Sequence, residues 1–341
     1  MSDAGERIEA IRREWGDRLL ILGHHYQRAA VLAHADALGD SLELARLAAQ
    51  QKKAERIVFC GVHFMAESAD ILSGPEQTVY MPETAAGCPM ADMATAELMQ
   101  GGWDRLNGVC DGWRPVVYVN STARIKALCG RHGGSTCTSS NARRVFEWAL
   151  NAGQRIFFLP DEHLGRNTAA AMGIPDREVA LYNPACADGG VSDDEIRRAR
   201  VIVWKGFCLV HTAFTINQIK AVRAAQPDAT IIVHPETPRE AAELADAQGS
   251  TSEIIEFVKA APAGSTVVVG TEQHLVERLA AEQAGRVTVK CLKPSICANM
   301  AKTNEQNLLR LLEEWPAASQ IHVAPAVANE ARRALEQMLE L

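Results

Sequence analysis

Three cysteines stand out for their surroundings: Cys88 in AAGCPMADM, Cys208 in KGFCLVH and Cys297 in SICANM. Gly, Pro or small residues flank each one and let a backbone approach a bulky inorganic group. They are too far apart to form a local motif such as C-x-x-C, so spacing alone leaves their partner open. Two metals fit: a structural zinc completed by His211, three residues after Cys208, or a [4Fe-4S] cluster with one iron left open. The chain has nine cysteines. An odd, scattered set is not a disulfide framework. Cys60, inside RIVFCGV, reads as a buried small hydrophobe. Cys110, Cys129 and Cys186 have no second ligand nearby in sequence and read as structural, while Cys137 in STCTSSNA is ambiguous.

A second group of residues suits proton transfer and anion binding. His24 and Tyr26 alternate along the end of a predicted strand and so share a side. His234-Pro235-Glu236 repeats that spacing with an imidazole and a carboxylate. Burial is expected to raise the Glu236 pKa toward neutrality, which suits it to shuttle protons; its competing role is to cap the next helix. Three predicted helix starts carry hydroxyls: Gly39-Asp40-Ser41, Thr138-Ser139-Ser140-Asn141 and Gly249-Ser250-Thr251. Helix N-termini bind carboxylate or phosphate through free N–H groups and the positive end of the dipole. Ordinary N-capping is the commoner use of a single Ser or Thr. Ser250 and Glu253 make a capping-box pattern, which leaves Thr251 as the stronger candidate ligand.

These residues need elements to hold them. Nine short apolar runs have the composition of strands buried on both faces of a parallel sheet: LLILGHHY, RIVFCGVHF, TVYMPE, VVYVNS, RIFFLPDE, VIVWKG, TIIVHPE, TVVVGTE and VTVKCLK. Helical patterns fall between them in SLELARLAAQQKKA, SNARRVFEWALNAG, TPREAAELADAQG, HLVERLAAEQ and TNEQNLLRLLEEW. Thr237 with Glu240, and Thr303 with Gln306, read as capping boxes, with Pro238 at the first helical position. The strands fall into three groups of three. Each first strand ends in a polar cluster, GHHY, Tyr118-Val119-Asn120 or His234-Pro235-Glu236, and each third strand is followed by one of the three cysteines. Ligands bind beyond the carboxyl ends of parallel strands. The sequence therefore predicts three pseudo-symmetry-related three-layer α/β/α domains around one central site, spanning residues 1–113, 114–210 and 211–341.

Bulk composition agrees with this class. The chain has 341 residues, 47% apolar and 23% charged, the balance of a globular protein. A net charge of −7 offers no basic footprint for nucleic acid, so anionic ligands must be met locally. The N-terminal MSDAGERIEAIRREWG lacks an apolar core of the secretory kind, and no stretch approaches the roughly 20 apolar residues of a membrane helix. A cytoplasmic location is the expectation.

Taken in order, GHHYQ, GDSLELA, ETAAGCPMADM, VVYVNSTARIKA, TCTSSNA, FLPDEHLGRNTA, WKGFCLVH, VHPETP, ADAQGSTSEII, GTEQHLVERL and CANMAKTNEQNLL resemble the quinolinate synthase family over essentially the whole chain. That resemblance, not periodicity, favours the [4Fe-4S] cluster over zinc. It implies three α/β domains meeting at a cluster held by Cys88, Cys208 and Cys297. It also implies condensation of iminosuccinate with dihydroxyacetone phosphate to quinolinate, phosphate and water in NAD biosynthesis, and a functional link to an L-aspartate oxidase. Dicarboxylate contacts carried over by motif are His24, Ser41, Tyr118, Asn120, Ser139, His234, Glu236 and Thr251, with Ser250 beside them. Proton-transfer candidates are Tyr26, Tyr118, His211 and Glu236. Of the two histidines in GHHYQ, the H-x-Y spacing selects His24. One departure concerns the C-x-x-C-x-x-C run that carries the third ligand in some members: CLKPSIC retains Cys291 and Cys297 but has Pro294 and Ser295 where a middle thiol would fall. The competing readings are a non-enzymatic iron–sulfur sensor and a zinc-dependent hydrolase.

Overall fold

A computed structural model of the chain describes residues 2–341. All nine apolar runs form strands, and they assemble into three sheets flanked by helices, an α/β architecture. In the first sheet Leu19–His24 lies between Ala37–Gly39 and Arg56–Cys60, with Thr78–Tyr80 beyond, all parallel. In the second, Trp113–Tyr118 lies between Ser135–Cys137 and Arg155–Leu159, followed by Val201–Trp204 and Val179–Tyr182. In the third, Thr230–Val233 lies between Ala247–Gln248 and Thr266–Gly270, with Thr288–Cys291 outermost. Setting aside additions at the outer edges, the three sheets share one spatial order: a strand with no counterpart among the nine apolar runs, then the strands of the first, second and third runs of each group.

The short strands Ala37–Gly39 and Ala247–Gln248 are laid down by the same device. Asp36 takes the Ile21 N–H on Oδ2 at 2.7 Å and gives its own N–H to the Ile21 carbonyl. Asp246 does the same with Ile231, at 2.7 Å for the side-chain bond. Arginine, Arg12 or Arg223, pairs with the remaining oxygen in each case. A carboxylate can thus substitute for a missing ladder partner and draw the chain alongside the strand.

Helix starts follow their caps, with two corrections to the sequence reading. Asp40 with Glu43 and Ser250 with Glu253 form capping boxes ahead of Ser41–Gln50 and Thr251–Ala260. The box predicted at Thr303 lies one residue on, at Asn304 with Asn307, because the Asn304 amide oxygen reaches the N–H groups of both Gln306 and Asn307. The box predicted at Thr237 does not form. Pro238 itself takes the cap position, and the helix is the single turn Arg239–Ala242 before Asp246 pulls the chain into a strand.

The last stretch returns to the earlier sheets. Glu305–Glu314 packs on Asp3–Trp15, Gln320–Ile321 pairs antiparallel with Val79 and Tyr80, and Pro325–Glu340 lies along Ala123–Arg131. The last contact depends on Gly130, where an added Cβ would meet the Glu330 carbonyl oxygen at 2.0 Å. No helix among the described residues is long and apolar enough to cross a membrane.

Candidate active site

The carboxyl ends of the central strands open into one cavity of about 190 Å³. Its lining includes Cys88, Cys208 and Cys297 together with His24, Tyr26, Ser41, Tyr118, Asn120, Ser139, His211, His234, Glu236 and Thr251. Ser250 stays behind this wall. It is fully buried, and its hydroxyl accepts the Glu253 N–H as a helix cap.

Each of the three thiols is met by the backbone N–H groups of the residues two and three positions on. These are Met90 and Ala91 for Cys88, Val210 and His211 for Cys208, and Asn299 and Met300 for Cys297. Burial pushes all three thiols up, Cys88 to about 12, while these N–H groups act in the opposite sense. Hydrogen bonds of this kind are one of the levers by which a protein holds and tunes sulfur-ligated metal. Cys88 lies within electrostatic reach of both other thiols. By contrast Cys60, Cys129 and Cys137 are fully buried in apolar core, which settles Cys137 as a packing residue, and Cys186 is exposed.

Three helix starts are tied together by a carboxylate that the sequence reading did not assign. Asp40 Oδ1 accepts the N–H groups of Leu42 and Glu43 at 2.9 and 3.0 Å. Its Oδ2 accepts the hydroxyls of Ser140, from the second unit's helix start, and Ser252, from the third's, at 2.5 and 2.8 Å. Burial would raise this carboxyl, but those hydrogen bonds hold it below its usual value. Asp40 was legible only as an N-cap in GDSLE; its two cross-unit hydroxyls come from stretches 100 and 212 residues away.

Histidines and acids fill the floor. His24 and His234 are buried, and burial, reinforced by a neighbouring imidazole, lowers both to about 3, so their rings are neutral. The His211 and His234 rings stack with centroids 4.2 Å apart. His211 Nδ1 lies 2.7 Å from Glu236 Oε2, and the Tyr118 hydroxyl donates to Glu236 Oε1. This reverses the pKa expected for Glu236. Burial alone would raise it, but the His211 ring and the Tyr118 hydroxyl, both hydrogen-bonded to it, bring it down to about 2. The raised carboxyl is its neighbour Asp161, pushed well up by burial and by the Glu236 charge, with Oδ1 capping Leu164 at 2.7 Å. Within FLPDEHLG, Asp161 reads only as the start of a helix. Thr271 is also buried here and also unforeseen; its hydroxyl lies 2.8 Å from Tyr26 Oη and 3.1 Å from His211 Nε2.

Cys208, His211 and Glu236 bring one ligand atom each within 4.8 Å of one another, a grouping that could hold a cation. The wider arrangement has three thiols, neutral imidazoles and three helix starts around one cavity, which is equipped both for a metal and for a small polyanion.

Residues 6–340 match the family described as "Quinolinate synthetase A protein". The chain is 49% identical to the quinolinate synthase of Corynebacterium glutamicum, over 98% of this chain and 86% of that one. It is 46% identical to that of a Geobacillus strain over 100% and 94%, and 44% identical to that of Bacillus subtilis over 99% and 93%. The chain belongs to the quinolinate synthase family. Quinolinate synthases are enzymes of NAD biosynthesis.

Proposed function

We propose that the chain condenses iminosuccinate with dihydroxyacetone phosphate to form quinolinate, phosphate and water, and that Cys88, Cys208 and Cys297 hold a [4Fe-4S] cluster with one open iron. The observation that carries this reading is the equivalence of the three thiols. Each follows the third apolar-run strand of its unit, each is met by the same pair of downstream N–H groups, and all three face one cavity. When bound, the cluster supplies a Lewis-acidic iron able to take a substrate nitrogen, carboxylate or hydroxyl.

The protein's own part is to bind and orient. Ser41, Ser139 and Thr251 stand at or beside helix starts and, with His24, His234, Tyr118 and Asn120, hold the dicarboxylate. Asn120 Oδ1 is buried without a hydrogen-bond partner among the described residues, so it is free to accept an N–H or O–H from substrate. Holding both reactants against one wall makes carbon–carbon bond formation effectively intramolecular. Tyr26, Tyr118, His211 and Glu236 move protons between oxygen and carbon centres during isomerisation, ring closure and dehydration. The three units, residues 1–113, 114–210 and 211–341, enclose the reaction, with the end of the third reaching back over the first two. The link to an L-aspartate oxidase that supplies iminosuccinate and a cytoplasmic location belong to the same proposal.

A zinc at Cys208, His211 and Glu236 is a second reading of the cavity, with a ligand set different from the three thiols and His211 expected from the sequence. Both His211 nitrogens already face partners there, Glu236 at 2.7 Å and Thr271 at 3.1 Å, so zinc would have to break at least one of these contacts. The deciding assay is quinolinate formation by anaerobically purified protein given iminosuccinate and dihydroxyacetone phosphate. Product supports the synthase; an intact cluster with no product leaves the iron–sulfur sensor.

A further inference from the structure

The cavity gathers negative charge, yet no lysine or arginine lines it among the described residues. His24 and His234 are neutral, while Asp40 and Glu236 are held as carboxylates. Three thiolates on a metal group and a dianionic ligand add to that excess. Helix N-termini answer it with partial charges only. A full positive charge lies just behind the wall. Lys126, on the helix Ala123–Arg131, is fully buried. Its Nζ donates to the carbonyls of Ser121 at 2.6 Å and Phe64 at 3.4 Å, and lies 5.4 Å from the centre of the Phe64 ring. Phe64 lines the cavity, and so does Asn120, the residue before Ser121. Both hydrogen-bond partners are backbone carbonyls, and the ammonium makes no salt bridge among the described residues. Burial lowers its pKa to about 8, while Glu67 and Cys88, within electrostatic reach, favour the charged form, so the ammonium persists at neutral pH.

We propose that Lys126 is a positioning residue of the site, the buried counter-charge that acts across the Phe64 and Asn120 wall on the thiolate-held metal group and on the anionic ligand. The inference rests on the synthase reading given above. A buried ammonium held only by carbonyls is costly, and an apolar side chain such as Met would fill the same space without that cost. Negative charge on the far side of the wall offsets it. In a dry interior the charge is little screened by salt, so it acts over a distance that would silence it at the surface. Glu67 does not cancel it at contact distance. Its Oε2 accepts the Ala123 N–H at 3.0 Å and its Oε1 lies 3.8 Å from His63 Nε2. Of the three ligand thiols, Cys88 is the one within reach of the ammonium. A cluster on three thiolates gains a further negative charge when reduced, so a nearby ammonium favours the reduced form. The sequence gives little sign of this role, because STARIKA reads as an ordinary helix whose lysine would run out to solvent.

The test compares Lys126→Met, which fills the space without the charge, with Lys126→Arg, which keeps the charge. Each cluster-loaded protein is titrated calorimetrically at pH 7 with quinolinate, a dianion, and with pyridine-2-carboxylate, its monoanionic relative, and the reduction potential of the cluster is measured. Lys126→Met is expected to bind quinolinate about 10- to 100-fold more weakly, the scale of one little-screened unit charge in a buried site. The loss for pyridine-2-carboxylate is expected to be roughly the square root of that factor, because each ligand charge contributes separately. The potential is expected to fall, whereas a wall merely loosened to admit water would raise it, since water stabilises the more negative reduced cluster. Lys126→Arg is expected to recover most of the affinity and the potential. A Lys126→Met protein that binds quinolinate within a few-fold of wild type overturns the inference, as does an equal loss for the two ligands, or a potential that stays or rises. Should Lys126→Met lose its cluster or its fold, the arginine variant decides alone: near-wild-type affinity and potential support the counter-charge, and a large loss of either overturns it. Wild-type protein that neither binds nor makes quinolinate overturns the synthase reading itself, which is a different result from a wild type that binds it beside a methionine variant that binds it equally well.

Discussion

His24 and His234 occupy equivalent places in the first and third sheets, and each uses Nδ1 to accept the N–H of the residue two positions on, Tyr26 at 3.2 Å and Glu236 at 3.3 Å. In a neutral ring this puts the hydrogen on Nε2. Two buried imidazoles thus present the same tautomer from two units. Each is a fixed N–H donor, the group needed to bind a carboxylate without a counter-charge that must itself be neutralised.

His24→Ala and His234→Ala are each expected to weaken quinolinate binding by about 10- to 100-fold, the range for a hydrogen bond to a charged group. Calorimetric titration checks this. Because burial holds both rings near 3, their NMR resonances should show no protonation between pH 8 and about pH 4. Titration near the unperturbed value would contradict the tautomer assignment.

Glu236→Gln keeps the shape of the side chain but removes the charge that faces His211 Nδ1 and accepts the Tyr118 hydroxyl. The loss expected is about 10²- to 10⁴-fold in kcat, with cluster absorbance retained. Unchanged turnover would remove Glu236 from catalysis.

The nine strands of the apolar runs were legible because buried parallel strands are continuous apolar runs, and Cys88, Cys208 and Cys297 could be singled out because each follows such a run. The short strands were not. Ala37–Gly39 and Ala247–Gln248 have no apolar pattern and exist because Asp36 and Asp246 reach across to a neighbouring backbone. The TPREAAELADAQG stretch has helical composition, yet its helix is one turn long for the same reason. At the site, residue types were readable and partners were not. Asp40, Asp161 and Thr271 each look like ordinary caps or strand ends until the fold brings residues from other units against them. Burial of Glu236 follows from its place after an apolar strand, but the His211 ring that outweighs burial and lowers its pKa comes from a different stretch of chain.

Asp40 makes a prediction about acid stability. Its folded pKa lies below the unfolded carboxyl value of about 3.9, so its contribution is fully present above that value and fades as pH falls through the lower folded one. Asp40→Ala should therefore destabilise the protein at pH 7 by at least the ~1 kcal/mol of a lost N-cap and narrow the stability gap from wild type in strong acid. It should also raise KM, since Ser140 and Ser252 lose their shared anchor. Urea unfolding at several pH values checks the first point and steady-state kinetics the second. A gap that widens in acid would contradict the assignment.

Gly130 offers a steric test. In an unobstructed helix, Gly→Ala gains about 1 kcal/mol. Here the new methyl would lie 2.0 Å from the Glu330 carbonyl oxygen, and relieving such a contact costs typically about 1–3 kcal/mol. Gly130→Ala is thus expected to lower the thermal midpoint; a raised midpoint would show that Pro325–Glu340 moves away freely.

Iron, acid-labile sulfide and zinc analysis of anaerobically purified protein, run beside Cys88→Ser, Cys208→Ser, Cys297→Ser and Cys60→Ser, tests the central claim most directly. The account predicts equal iron and sulfide in wild type and Cys60→Ser, with the visible cluster absorbance lost in each of the other three. Zinc without sulfide in the wild type, or a cluster that survives loss of any of those three thiols, would contradict it.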